Sequence, residues 1–197
     1  MDQRIPPALL SPAATADCPL HRAGLDFARA FLRGEIAPFA EPLEHSDSFS
    51  DALNSPEGND LESCIMGLAH GDCHSLTAAL ADRLDVENVV MIRTAGGGAP
   101  VHSGLHHPER GLLLDANGVH RVEDACRFWS VIGGEPCKAV PTTTDGFCSN
   151  YDEEDADYAL SHFAIIAAFV TPRLAKLTAS ERAAPPGRKA VSGPTLG

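Results

Sequence analysis

An α+β fold is expected from three observations. Helical periodicity occurs toward both ends of the chain, short strand-like runs lie between residues 89 and 115, and two of these runs are joined by a tight turn. From Arg22 to Arg33, Leu25, Phe27, Ala28, Phe31 and Leu32 recur at near-helical spacing, and Gly34 ends the helix. Residues 40–60 contain Pro42, Pro56, Gly58 and many Ser, Asn and Asp, which predicts loop or short turns. Cys73 to Leu84 predicts a helix with Leu76, Leu80 and Leu84 on the face of Cys73 and Asp72 as its N-cap. Val89 to Ile92 predicts a short buried strand, followed by the flexible connector Gly96-Gly97-Gly98. Val101 to Leu105 and Leu112 to Asp115 predict a hairpin that turns over Pro108, Glu109, Arg110 and Gly111. Val122 to Ile132 predicts a helix stopped by Gly133-Gly134. Tyr158 to about Leu177 predicts a largely apolar core helix, kinked or split at Pro172.

The chain has 197 residues and a net charge of -12. That length suits one catalytic domain, expected over residues 20–178, between a poorly ordered arm at 1–19 and a disordered tail at 179–197. No Lys or Arg occurs between Gly34 and Asp82, and a second acidic cluster runs from Asp152 to Asp157. Such a balance argues against nucleic acid or an anionic membrane as partner, because both need a cationic surface. The longest uninterrupted apolar run, Phe163 to Val170, is far short of the ~20 residues that span a bilayer. No basic region followed by an apolar stretch marks a secretory signal at the N-terminus. The cysteines at 18, 64, 73, 126, 137 and 148 form no CxxC pair, so free buried thiols in a reducing compartment, the cytoplasm, are expected. Neither a GxGxxG nor a phosphate-loop pattern occurs, so no organic cofactor is expected.

The chemistry concentrates around Gly71-Asp72-Cys73-His74, which puts a cysteine in the first turn of a helix. Unpaired N–H groups and the helix dipole stabilise a thiolate there and lower its pKa from ~8.5. Downstream, a turn over 108–111 sets His102 opposite Asn117 and makes Asp115 its diagonal neighbour on the same face. A carboxylate beside an imidazole fixes its tautomer and supports the imidazolium. Cys73, His102 and Asp115 therefore read as nucleophile, base and orienting acid. Taken alone, Asp115-Ala116-Asn117-Gly118 is a good turn sequence. His106 is the rival base, since it shares the face of His102. His107 is expected to face solvent, and His74 to project away from Cys73.

These stretches, GDCHSLTAALADRL, VHSGL and GLLLDANG, span residues 71–118. In them the chain resembles the papain-like and transglutaminase-like cysteine hydrolase superfamily. The resemblance implies a helix opened by the catalytic cysteine and packed on a small antiparallel sheet that carries histidine and aspartate. It implies an acyl-thioester mechanism acting on a protein or peptide-like substrate, as in bacterial deamidases, phage-borne hydrolases and peptidoglycan amidases. The N–H of Cys73 is expected to serve the oxyanion, with Asn54, Asn59 or Ser63 as a second donor.

Two other readings compete. His70, Cys73, His102 and His106 have zinc-like sequence spacing, but a strand over 101–106 puts the last two roughly 13 Å apart, too far for one ion. No metal is expected. The acidic run suits either a solubilising surface or a non-catalytic module that binds a basic partner.

Overall fold

The computed structural model describes residues 19–39, 43, 65–144, 156–164 and 166–167. Most of the expected arm, the 40–60 loop (Leu43 apart) and the 179–197 tail lie outside the described residues, as do Asn54, Asn59 and Ser63. The fold is α+β, with a five-stranded antiparallel sheet and helices packed on it. Helix α1 spans Pro19–Leu32 and α2 spans Cys73–Leu84; a short helical stretch at 65–70 leads into α2. The strands are β1 (Val89–Thr94), β2 (Pro100–His107), β3 (Leu112–Asp115), β4 (Gly118–Arg121) and β5 (Cys137–Thr142). Helix α3, Val122–Gly133, lies between the last two, and residues 156–164 and 166–167 are helical. The strand order is β4-β3-β2-β1-β5.

Apolar spacing explains the first layer. Phe27, Ala28 and Phe31 of α1 and Leu76, Ala79 and Leu80 of α2 bury one face each, at the i, i+3, i+4 spacing of a helical stripe. They meet Val89, Leu105, Leu112, Leu114 and Val119 from the sheet, together with Leu160 and Phe163. Alternation sends Val90, Ile92 and Leu113 to the opposite face, where Ala125 and Trp129 of α3 cover them. Asp72 sits at the N-cap of α2, yet its side chain makes no capping hydrogen bond, contrary to expectation. Among the described residues no helix is long and apolar enough to cross a membrane.

The hairpin register is the expected one. Leu105 pairs with Leu114, His106 with Leu113 and His107 with Leu112, across a 3₁₀ turn at Pro108–Arg110. Gly104 lies at a close approach, because a Cβ there would stand 2.5 Å from the carbonyl oxygen of Leu114. Two strands depart from the sequence expectation. β4 follows β3 through only Ala116 and Asn117, and β5 adds to β1 at the other edge. The β4 edge is covered where the N–H of Phe39 donates to the carbonyl of Val119 at 2.6 Å and that of Leu43 to Asn117 at 3.3 Å. Phe39 occupies the space a side chain at Gly118 would need, and Gly118 has φ +105°.

One irregularity falls beside the site. Ile92 pairs with His102 but Arg93 pairs with Pro100, so Val101 is an extra residue on β2. Such a bulge sharpens the local twist and redirects neighbouring side chains.

Candidate active site

Cys73 opens α2 and is 4 % exposed. His102, fully buried, comes from β2 immediately after the bulge, and Asp115 ends β3. The Nε2 atom of His102 donates to Asp115 Oδ2 at 2.7 Å when it carries the proton. The remaining carboxylate oxygen, Oδ1, accepts the backbone N–H of Asn117 at 2.8 Å and has His120 Nε2 at 3.5 Å. A carboxylate removed from water is stable only when its oxygens are satisfied in this way. Burial alone would push Asp115 up. The charge of His120 and the hydrogen bond from His102 outweigh it and hold the carboxyl far below the usual carboxylate range.

Cys73 and His102 act on one another. Burial pushes the thiol up, but hydrogen bonding and charge from His102 and His74 prevail and bring it from 9.0 down to about 6. Burial lowers His102, while Asp115 and Cys73 raise it more, from 6.5 to about 10. Both shifts run in the direction of a thiolate beside an imidazolium. With Nε2 committed to Asp115, Nδ1 is the ring nitrogen left to exchange a proton with the Cys73 sulfur.

Three further side chains belong to the site. Trp129 of α3 stacks on the His102 ring with centroids 4.7 Å apart and planes at 24°. An aromatic face in that position favours the imidazolium and closes one side of the ring to water. His74 does not project away as expected. Its Nδ1 lies 3.8 Å from Cys73 Sγ and 2.8 Å from Ser103 Oγ. The reason is that Ser103, on the strand face turned to α2, supplies a partner: its hydroxyl also donates to the Cys73 carbonyl at 3.2 Å and contacts Thr77 Oγ1 at 3.0 Å. His120 is the third, brought to Asp115 by the unforeseen strand β4.

The other histidines divide clearly. The groups holding Asp115 are His102, His120 and the Asn117 amide, and His106 is not among them. His106 is half-buried, with its pKa lowered by burial and by His107. His107 is also half-buried rather than solvent-facing, edge-on to Phe31 at 6.0 Å, because α1 packs over that end of β2. Among the described residues no group of three or more His, Cys, Asp or Glu is placed to hold a metal. Of the described cysteines, Cys73 is buried and Cys126 and Cys137 are half-buried, and all three are free.

Sequence reasoning missed Trp129 and His120 as site residues. A signal for Trp129 was present, as the sole tryptophan of the chain sits on an amphipathic helix directly after the hairpin. Compared with known proteins, the chain matches no family model, no curated protein and no solved structure.

Proposed function

We propose that this protein is a thiol hydrolase acting on an amide or related acyl bond, with Cys73 as nucleophile, His102 as base and acid, and Asp115 orienting His102. The observation that carries this reading is the His102 ring: Nε2 is tied to Asp115 at 2.7 Å, which leaves Nδ1 for the sulfur, and the ring together with His74 lowers the Cys73 thiol to about 6. A helix opened by Cys73 against an antiparallel sheet bearing His102 and Asp115 also supports the likeness to the papain-like and transglutaminase-like core.

In this mechanism the thiolate adds to the carbonyl carbon of the substrate. His102 donates its Nδ1 proton to the departing amine, and an acyl-thioester remains on Cys73. Water then adds to the thioester with His102 as base, which releases the acid and restores the thiolate–imidazolium pair. Asp115 holds the proton on Nε2 throughout. A protein glutamine, a peptide bond and a cell-wall peptide share this chemistry. With an amine in place of water the same site becomes a transferase.

The test is the pH dependence of iodoacetamide labelling, followed by mass spectrometry of each cysteine. Cys73 should label with a midpoint near pH 6, and His102→Ala should move that midpoint up toward ~8.5. At pH 6 about half of Cys73 is thiolate against under ~1 % of an ordinary thiol. The lower intrinsic nucleophilicity of a low-pKa sulfur leaves a net advantage on the order of tenfold. Labelling of Cys73 with the midpoint of an ordinary cysteine would falsify the mechanism.

A further inference from the structure

The Cys73 sulfur has a second imidazole beside it, and this one comes from its own helix. His74 Nδ1 lies 3.8 Å from Cys73 Sγ and 2.8 Å from Ser103 Oγ. The ring also donates to the backbone carbonyl of Pro100, at the start of β2. These partners decide which form of the ring they suit. A thiolate and a carbonyl only accept. The Ser103 hydroxyl can accept as well, because its own hydrogen has the Cys73 carbonyl to go to at 3.2 Å. Thr77 Oγ1, 3.0 Å from Ser103 Oγ, donates to the same carbonyl at 2.8 Å and helps fix Ser103 in place. An imidazolium, with two N–H donors and no lone pair to fill, suits this set better than the neutral ring. The titratable groups acting on the ring are Cys73 and His102. The hydrogen bond with Cys73 raises it above the ordinary 6.5, against burial and the like charge of His102.

We propose that His74 is a second catalytic imidazolium, held beside the Cys73 sulfur through the whole cycle while His102 alone exchanges protons. The proposal rests on the hydrolase reading and divides its labour between two rings. His102 gives its Nδ1 proton to the departing amine and is neutral in the acyl-enzyme. His74 has its donors committed to Ser103 and Pro100, and keeps its charge at that stage. Water then adds to the thioester and passes its proton to His102. The C–S bond breaks, and its electron pair goes to the sulfur beside His74. An opposite charge within ~4–6 Å favours the thiolate, and a thiol of lower pKa departs faster. His102 moves the proton, and His74 receives the charge on sulfur.

Two reciprocal titrations of the full chain test this. His74→Asn keeps a short side-chain donor and loses the charge. It should raise the iodoacetamide labelling midpoint of Cys73 by about one pH unit, the low end of what a neighbouring charge does. In Cys73→Ala the His74 ring signal of a long-range proton–nitrogen NMR spectrum should titrate lower than in the parent by a similar amount, because coupling is mutual. A purely structural His74 would move neither midpoint. The departure of sulfur is read separately, by acetylating Cys73 with p-nitrophenyl acetate and following loss of the acetyl group by mass spectrometry. That loss should be about threefold slower in His74→Asn. An unchanged labelling midpoint, equal rates of acetyl loss, or a His74 signal that titrates alike with and without the thiol overturns the proposal. A parent midpoint near 6 would then still uphold the hydrolase reading, with His102 alone on the sulfur. The midpoint of an ordinary cysteine in the parent would sink both. The NMR titration leaves His74 unchanged, so it stands even where His74→Asn fails to fold.

Discussion

The two faces of the sheet follow different rules. Toward α1 and α2 the strands present Val89, Leu105, Leu112, Leu114 and Val119, and the layer against them is almost wholly aliphatic and aromatic. Toward α3 the same strands alternate Val90, Ile92 and Leu113 with His102, Asp115 and His120, under Trp129. The first face gains stability from every side chain it buries. The second buries a carboxylate and two imidazoles, and is tolerable only because Asp115 is bonded by His102 and the Asn117 amide. Cys73 comes from a helix on the apolar side and meets His102 at the start of β2, where Val101 breaks the alternation. One face is chiefly apolar packing, and the other carries the buried polar cluster.

Breaking the polar face should have the largest effect. In Asp115→Asn one amide oxygen must serve both the Asn117 N–H and His102 Nε2, and the NH₂ group turned to either is a donor facing a donor. The imidazole relieves this by shifting its proton to Nδ1, which leaves no base for Cys73. Turnover of an amide substrate should fall by about 10²–10⁴. Full activity in this variant would reduce the site to a Cys–His pair. Breaking the apolar face should act on stability alone: Leu80→Ala should cost about 2–5 kcal/mol in chemical denaturation. It should leave the Cys73 labelling midpoint unchanged, and a midpoint that moves with it would mean the two faces are not separable. The smallest effect is expected at His106→Ala, under about 1 kcal/mol and less than about threefold in rate. A loss there larger than at His102→Ala would transfer the base to His106.

Much of this comparison was legible in the sequence. The helix from Cys73, the hairpin register and the order of cysteine, histidine and aspartate all follow from periodicity and turn chemistry. β4 was hidden because its four residues begin inside the Asn117-Gly118 turn signal, so local turn propensity masked the strand. β5 was hidden because Lys138, Pro141 and Thr142 give it no buried alternation, as suits an edge strand. With β4 unseen, His120 had no route to Asp115. The orientation of His74 depends on a hydroxyl 29 residues away, and the stacking of Trp129 on how α3 crosses the sheet. Those are tertiary facts that one-dimensional spacing does not carry.

The thiolate–imidazolium pair also makes folding a proton-linked event. The Cys73 thiol is lowered on folding, so its contribution to folding free energy is fully present only above the ordinary thiol value and is lost as pH falls through about 6. His102 is raised, so its contribution is complete below 6.5 and is lost as pH rises through about 10. The two overlap between those limits, and the melting temperature should crest there. Cys73→Ala removes one partner and lowers the pull on the other, so its melting profile should part from the parent's inside that window and rejoin it toward acid. The pair proposed to cut a substrate would in this way set the pH at which the fold itself is most secure.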